Sequence, residues 1–446
     1  MRKKVIIIGA LGMDFHVFNT VFRDNEEYKV IAFTIAGEQN VGTTDEAERR
    51  FPAKLAGKLY PNGIPMLSEE RLEEIIKLHK VDEVVFAYSD VSHEEVMHKA
   101  SRVLSAGADY RLISGRFTQI KANKPVIAVC AVRTGCGKSQ VSRAVYRYLK
   151  SKGYKVVAIR EPMPYGDLVQ QNVMRFEKYE DLDKYDCTIE EREEYEPYIR
   201  QGLVIYSGVD YEKIVREAEK EADVIIFDGG NNEISFYITD LLLIVVDPLR
   251  PGHENKYHPG EVNARYADAF VINKMNSAKP EDVAIVEKNL QELNPDAIRI
   301  YTNSVVKAED PLKLKGKKVV VVEDGPTLTH GGMAIGAAYV AAKNAEAKIV
   351  DPRKYLVGSI KDVFNDFPQI TQIVPAMGYT DQQIEDLEKT LNNVKADIIL
   401  NGSPIDLKEL IKANKPIVKV SYDIEPIKEP TIENVLDDFI QKFLKK

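Results

Sequence analysis

Val126-Ile-Ala-Val-Cys-Ala-Val-Arg-Thr-Gly-Cys-Gly-Lys-Ser139 is an apolar run that turns into glycines and stops on a lysine and a hydroxyl. Val126 to Cys130 predicts a buried strand, and Gln140 to Lys150 continues as a helix. A strand, a glycine turn ending in Gly-Lys-Ser and a helix are the parts of a P-loop. Gly135 and Gly137, either side of Cys136, let the backbone curl so that amide hydrogens converge on phosphate oxygens. The helix N-terminus adds unpaired donors and a favourable dipole. Lys138 is placed for the β- and γ-phosphates of ATP, and Ser139 for Mg²⁺.

Val132 stands where the first glycine of such loops is usual, a position that contacts phosphate through no side chain. Arg133 lies five residues before Lys138, where the dimeric MinD-like ATPases carry a signature lysine. It reads either as a phosphate ligand acting across a homodimer or as a solvent-facing arginine. Downstream, Asp223-Val-Ile-Ile-Phe-Asp-Gly-Gly230 puts Asp228 at a strand end, where an acid joins the Mg²⁺ shell directly or through water. Phe270-Val-Ile-Asn-Lys-Met-Asn276 resembles the Asn-Lys-x-Asp motif of GTPases, making Asn273, Lys274 and Asn276 candidate nucleotide contacts. Asn276 replaces the acid, and an amide has a single acceptor oxygen for the two guanine donors, so ATP is expected over GTP.

Outward from this core the chain reads as α/β throughout. A chain of 446 residues is too long for one core, so two or three domains are expected. Residues 1–122 alternate short apolar strands with helices and predict a Rossmann-like domain. Ile120-Lys-Ala-Asn-Lys-Pro125 punctuates the chain, and residues 123–346 form the P-loop domain with a mostly parallel sheet, Val319–Val322 included. Residues 347–446 are expected as a small C-terminal α/β domain. Ile411-Lys-Ala-Asn-Lys-Pro-Ile-Val repeats the punctuation once, far short of a solenoid period. Between Phe176 and Arg200 a run of acids reads as a solvated helical excursion rather than a lid.

The formal net charge of −8 argues against a general nucleic-acid binder, which needs a basic face to displace counterions. The longest apolar run, Leu241 to Val246, is too short to span a bilayer, so no membrane role is expected. Three cysteines, Cys130, Cys136 and Cys187, make no disulfide framework, and a cytoplasmic setting is the default.

Substrate candidates sit where open α/β sheets bind ligands, after the carboxyl ends of parallel strands. Arg160-Glu-Pro-Met-Pro-Tyr-Gly-Asp167 and Asp247-Pro-Leu-Arg-Pro-Gly-His-Glu254 supply Arg160 and Arg250 for bidentate anion recognition, and His253 for donating to phosphate or shuttling a proton. Each reads equally well as a loop-structuring residue. Asp324-Gly-Pro-Thr-Leu-Thr-His-Gly-Gly332 adds His330 beside two glycines. In the first domain Gly9-Ala-Leu-Gly12 is not a dinucleotide fingerprint and no acid closes the second strand, which argues against NAD. Asp14, His16 and Asn19 form a polar cluster able to bind a small ligand, with Arg49, Arg50 and Lys54 near in sequence.

Taken together, the chain resembles the archaeal cyclic 2,3-diphosphoglycerate synthetases. The resemblance rests on Gly9-Ala-Leu-Gly-Met-Asp-Phe-His16, Leu59-Tyr-Pro-Asn-Gly-Ile-Pro65 and Arg133-Thr-Gly-Cys-Gly-Lys-Ser139. It continues through Glu161-Pro-Met-Pro-Tyr-Gly-Asp167, Arg250-Pro-Gly-His-Glu254, Asn273-Lys-Met-Asn276 and Asp324-Gly-Pro-Thr-Leu-Thr-His-Gly-Gly332. It implies a ligase that turns 2,3-diphosphoglycerate and ATP into the cyclic phosphoanhydride, ADP and phosphate. Two phosphates of roughly −1.5 to −2 charge each would then be forced together, which clustered basic residues offset. On that footing Lys138, Arg133, Asp228, Arg250 and His253 carry the catalysis. Arg160, Arg250, His253 and His330 hold the substrate, with Mg²⁺ on Ser139 and Asp228. A nucleotide-dependent switch or metallochaperone-like P-loop protein is the alternative, separable by whether turnover answers to a macromolecule or to the small anion.

Overall fold

A computed structural model describes every residue except 1, 10–11, 36–48, 162–165, 231–232, 330–333, 377–379 and 445–446, and except the side chains of 189–190 and 326–327. The N-terminal unit is a six-stranded sheet in the order Arg50–Phe51, Ile64–Ser68, Tyr28–Ile35, Lys3–Ile8, Glu83–Phe86, Asp109–Leu112. All pairs but the first are parallel. Strand pleating explains how one apolar run serves two cores: Val5 and Ile7 face one layer, Ile6 and Ile8 the other. The second layer is closed by the helices Leu72–His79 and His93–Ala106. The parallel strands follow the Rossmann order expected of this unit.

The P-loop strand Val126–Ala131 lies inside a much larger sheet of thirteen strands. It runs parallel between Val224–Asp228 and Leu241–Val246. Val156–Arg160 extends the sheet on one side, Ala269–Ile272 and Ile298–Ala308 on the other. Ile298–Ala308 is eleven residues long and serves two partners in turn. Its first residues, Ile298 to Tyr301, pair parallel with Ala269–Ile272, while Thr302 to Ala308 pair antiparallel with Ile417–Pro426. From there the sheet continues through Ile398–Asn401 and Lys318–Asp324.

This strand moves an expected boundary. Val319–Val322 was expected in the P-loop unit, yet Lys318–Asp324 pairs with Lys348–Ile349, Ile373–Ala376 and Ile398–Asn401, so the C-terminal half of the sheet begins before residue 347. The connection is hidden in sequence because Ile298–Ala308 carries Thr302, Asn303, Ser304 and Lys307, and lacks an apolar run. The C-terminal helix Ile432–Phe443 does not stay with its own half either. Ile432, Val435, Leu436 and Phe439 join the central core, and Tyr148 of the P-loop helix donates to Asp437 at 2.7 Å.

The acidic segment is solvated only in its first half, where Glu177, Glu180, Asp183 and Asp186 are exposed. Its helix Ile189–Ile199 buries Glu191, Glu193, Tyr195, Glu196 and Tyr198. Each buried acid has a partner, as burial of a charge requires. Glu193 accepts from Ser403 at 3.1 Å, and Glu196 from the Asp406 amide at 2.9 Å. The helix thereby bridges the two halves of the large sheet. Among the described residues no helix is long and apolar enough to cross a membrane.

Candidate active site

The P-loop is held from outside. Gly135 and Gly137 have φ of 81° and 102°, the left-handed region that favours glycine. Three consecutive carbonyls are pulled outward by side chains from neighbouring strand ends. Arg250 Nη2 donates to Thr134 O at 2.7 Å, Lys274 Nζ to Gly135 O at 2.6 Å, and Asn273 Nδ2 to Cys136 O at 3.1 Å. Asp247 at the end of Leu241–Val246 ties Lys274 and Arg250 together at 2.7 and 3.2 Å. With its carbonyls turned out, the loop is left to offer amides to an anion on its concave side. The helix Lys138–Ser151 begins there and adds its own free donors.

Two further donors await a partner. Arg250 Nε and Nη1 are buried with no hydrogen bond among the described residues. Orphaned guanidinium nitrogens beside a phosphate loop fit an oxyanion. The loop thiol of Cys136 is pushed up to about 11 by burial and stays neutral.

Asp228, expected at the metal, is fully buried in a truss. Its oxygens accept from Ser142 at 2.8 Å, from Arg160 Nη1 at 2.9 Å and from Tyr198 at 2.9 Å, while Lys138 Nζ stands 3.9 Å away. Burial alone would raise its pKa, but Arg160 and Lys138 outweigh that and hold the carboxyl below its usual value. Were Mg²⁺ to come in with ATP, this engaged carboxylate would meet it through a bound water, and Ser139 would supply a hydroxyl. The described residues contain no group of three or more His, Cys, Asp or Glu able to hold a metal alone.

Arg160, expected at the substrate, spends its guanidinium on Asp228 and on a short ion pair with Glu194. Arg133 does not face solvent. Its Nε pairs with Asp90 of the N-terminal unit at 2.9 Å, its guanidinium lies 3.7 Å from the Tyr257 ring centroid, and Nη1 is 3.5 Å from His253 Nδ1. Burial, with Arg133 and Arg250 nearby, lowers His253 to about 4, so near neutrality it is an uncharged acceptor rather than a cationic phosphate ligand. Asn273 and Lys274 brace the loop, and Asn276 exchanges both ends of its amide with the Ser304 backbone at 3.0 and 3.1 Å. That engagement leaves little for a guanine base and keeps ATP the better fit. His330 lies outside the described residues.

Residues after the carboxyl ends of parallel strands in the two sheets meet each other. Asp90 and Ser89, just after Glu83–Phe86, reach Arg133 and Glu233. Gly12 abuts Glu161 so closely that a Cβ there would fall 2.1 Å from its Oε1. Asp14, Glu161 and Glu233 are all buried at this seam. The expected small-ligand cluster on the first helix is instead part of the seam. His16 stacks on Phe236 at 4.1 Å, Asn19 donates to Val209 O at 3.2 Å, and Asn19 and Lys54 line a cleft of about 260 Å³ with Asp210 and Lys213.

Sequence reading missed Ser142, Tyr198, Glu194 and Asp90. Ser142 was open to detection, since it follows Lys138 by one helical turn and shares its face. Nothing local marks the others, whose partners are remote in sequence.

No protein-family model matches the chain. It is 56% identical over 439 residues, 98% of this chain and 97% of the relative, to the arginine synthetase ArcE of Thermococcus kodakarensis. The cyclic 2,3-diphosphoglycerate synthetase of the same organism is 23% identical over 300 residues, 61% of this chain and 66% of that one. Among solved structures, the "apo" form of LpxK from Aquifex aeolicus in complex with ATP aligns over 84% of this chain and 100% of its own, at 13% identity and a TM-score of 0.41. By its first match, and with a P-loop of the geometry above, this chain belongs to the family of the arginine synthetase ArcE, a family of P-loop ATP-dependent synthetases.

Proposed function

We propose that the protein is an ATP-dependent arginine synthetase. The 56% identity to ArcE across 98% of the chain carries this reading. Chemistry then narrows the reaction. A guanidinium is a urea whose oxygen has been replaced by nitrogen, so its synthesis needs that oxygen made into a leaving group. A P-loop delivers the γ-phosphoryl group, and transfer to the ureido oxygen of citrulline breaks the β–γ bond of ATP and releases ADP. Ammonia then attacks the ureido carbon, phosphate leaves with the oxygen, and a proton is lost. The balance is citrulline, ATP and ammonia to arginine, ADP and phosphate.

The charge of the site supports a cationic product. Asp14, Glu161 and Glu233 sit buried at the seam between the N-terminal and P-loop units, where carboxylates favour ammonium and guanidinium groups. The same acids would repel two phosphate groups, and Arg160 is already neutralised by Asp228 and Glu194. Synthesis of cyclic 2,3-diphosphoglycerate is therefore the second reading, resting on the 23% match. Within the first reading Lys138 and the loop amides hold the β- and γ-phosphates, Arg250 contributes its two unused donors, and Ser139 with Asp228 serves Mg²⁺.

The test is a purified-protein assay with ATP and Mg²⁺, given citrulline and ammonium in one arm and 2,3-diphosphoglycerate in the other. Arginine and ADP in equal amounts are expected in the first arm. Absence of arginine there, or ADP formed only with 2,3-diphosphoglycerate and a cyclic product in the ³¹P spectrum, would refute the proposal.

A further inference from the structure

The entry of the P-loop is held by the neighbouring unit. Asp90 stands beyond the end of Glu83–Phe86 in the N-terminal unit, and one of its oxygens serves two consecutive loop residues. Asp90 Oδ1 pairs with Arg133 Nε at 2.9 Å and accepts from the Thr134 amide at 3.4 Å. Arg250 takes the carbonyl of the same Thr134 at 2.7 Å. Residue 134 is thus fixed at its N–H by one unit and at its C=O by the other. The amides that follow, from Gly135 onward, take their direction from that anchor.

The surroundings of Asp90 are built for this contact. Its φ of 61° lies in the left-handed region, where residues other than glycine are sparse and the neighbouring structure must hold them. Both charges are enclosed, with 12% of the Asp90 and 9% of the Arg133 side chain exposed, so loss of either strands the other. The joint is also tied by backbone. Val91–Ser92 pairs antiparallel with Tyr257–His258, and the His93 amide donates to Lys256 O at 2.9 Å. The Tyr257 ring of this ribbon covers the Arg133 guanidinium at 3.7 Å. Just beyond it, a Cβ on Gly260 would fall 2.3 Å from Val132 O, where the loop leaves its strand.

We infer that Asp90 is a positioning residue of the nucleotide centre: through Arg133 and Thr134 it sets the P-loop for phosphate, so that the centre is complete only with the N-terminal unit docked. This goes beyond the arginine synthetase reading and holds whichever acceptor takes the phosphoryl group. Because linkage is reciprocal, bound nucleotide tightens the joint between the two units.

Calorimetric titration of the full chain with ADP and Mg²⁺, beside denaturant unfolding of the nucleotide-free protein, tests this. Asp90→Gly suits the backbone and removes the carboxylate, and it should weaken ADP roughly tenfold, the scale of a hydrogen bond to a charged group. Asp90→Asn keeps an acceptor oxygen for the Thr134 amide and tolerates the left-handed conformation, so it should recover part of the loss. The double variant Asp90→Gly/Arg133→Ala strands no charge. It should unfold close to wild type yet bind ADP no better than Asp90→Gly, since both side chains act through one contact. ADP binding within about twofold of wild type in Asp90→Gly overturns the inference. So does a double variant that regains wild-type affinity together with its stability, which would assign Asp90 to the fold alone. Failure of the wild-type protein to bind ADP or ATP sinks the nucleotide loop and this inference together, whereas wild-type binding without an Asp90 effect sinks only the inference.

Discussion

Replacing Arg160 with methionine removes the cation from Asp228 while keeping most of the buried volume. Asp228 is fully buried and Arg160 is 5% exposed, so the variant strands a carboxylate in the interior. Losing one partner of a buried pair costs about 3–5 kcal/mol. Ser142 and Tyr198 remain as donors and Lys138 begins only 3.9 Å away, which places the cost near the lower end, about 3 kcal/mol. The pH dependence gives a sharper signature. In the wild type Asp228 is held below its usual pKa, so it adds stability above about pH 4 that is lost as pH falls through its folded value. In the variant, burial dominates and lifts the carboxyl above its unfolded value, so acidification relieves the penalty. Guanidinium unfolding followed by circular dichroism at about pH 7.5 and about pH 5 should show a gap that narrows at the lower pH. A variant within about 1 kcal/mol of wild type at the higher pH, or a gap widening on acidification, would refute the truss. Lys138, drawn toward the stranded Asp228, should also bind ATP less tightly.

Gly137→Ala should cut ATP affinity at least tenfold, or about 1.4 kcal/mol, in a nucleotide titration, because φ is 102° there and a Cβ would meet Asn273 Nδ2 at 2.2 Å. His16 is lowered to about 3 by burial, so between its unfolded pKa near 6.5 and about 3 only the unfolded chain takes the proton. Stability should therefore fall with pH across that window by about 1.4 kcal/mol per unit, and His16→Phe should flatten the slope measured by denaturant titration. Leu436→Ala, fully buried in the C-terminal helix, should destabilise the P-loop core by about 2–5 kcal/mol in the same titration.

How much of this was legible from sequence depends on the range of the interactions. The nucleotide loop was readable because strand, glycines, lysine and helix follow one another within a dozen positions and their physics is local. The Rossmann-like unit was readable because Lys4 to Ile8 and Glu83 to Ala87 announce buried parallel strands. Roles set by remote partners were not. Arg160 looked like an anion ligand until Asp228 and Glu194 claimed it, and Arg133 looked like a phosphate contact until Asp90 did. Glu193 and Glu196 read as solvated because only the fold reveals Ser403 and Asp406 on the other side. The strand at Ile298–Ala308 escaped because half of it is polar, though it joins two halves of one sheet.

That shared strand bears on how the protein is made. Thr302 pairs with Pro426, and the helix Ile432–Phe443 lies in the core of the P-loop unit, so the nucleotide-binding centre borrows its finish from the far end of the chain. During translation the segment through residue 308 emerges with a sheet edge and an apolar helix flank still bare, to be covered only when residues 417–443 leave the ribosome. The nascent chain is thus most exposed to proteases and self-association in that interval.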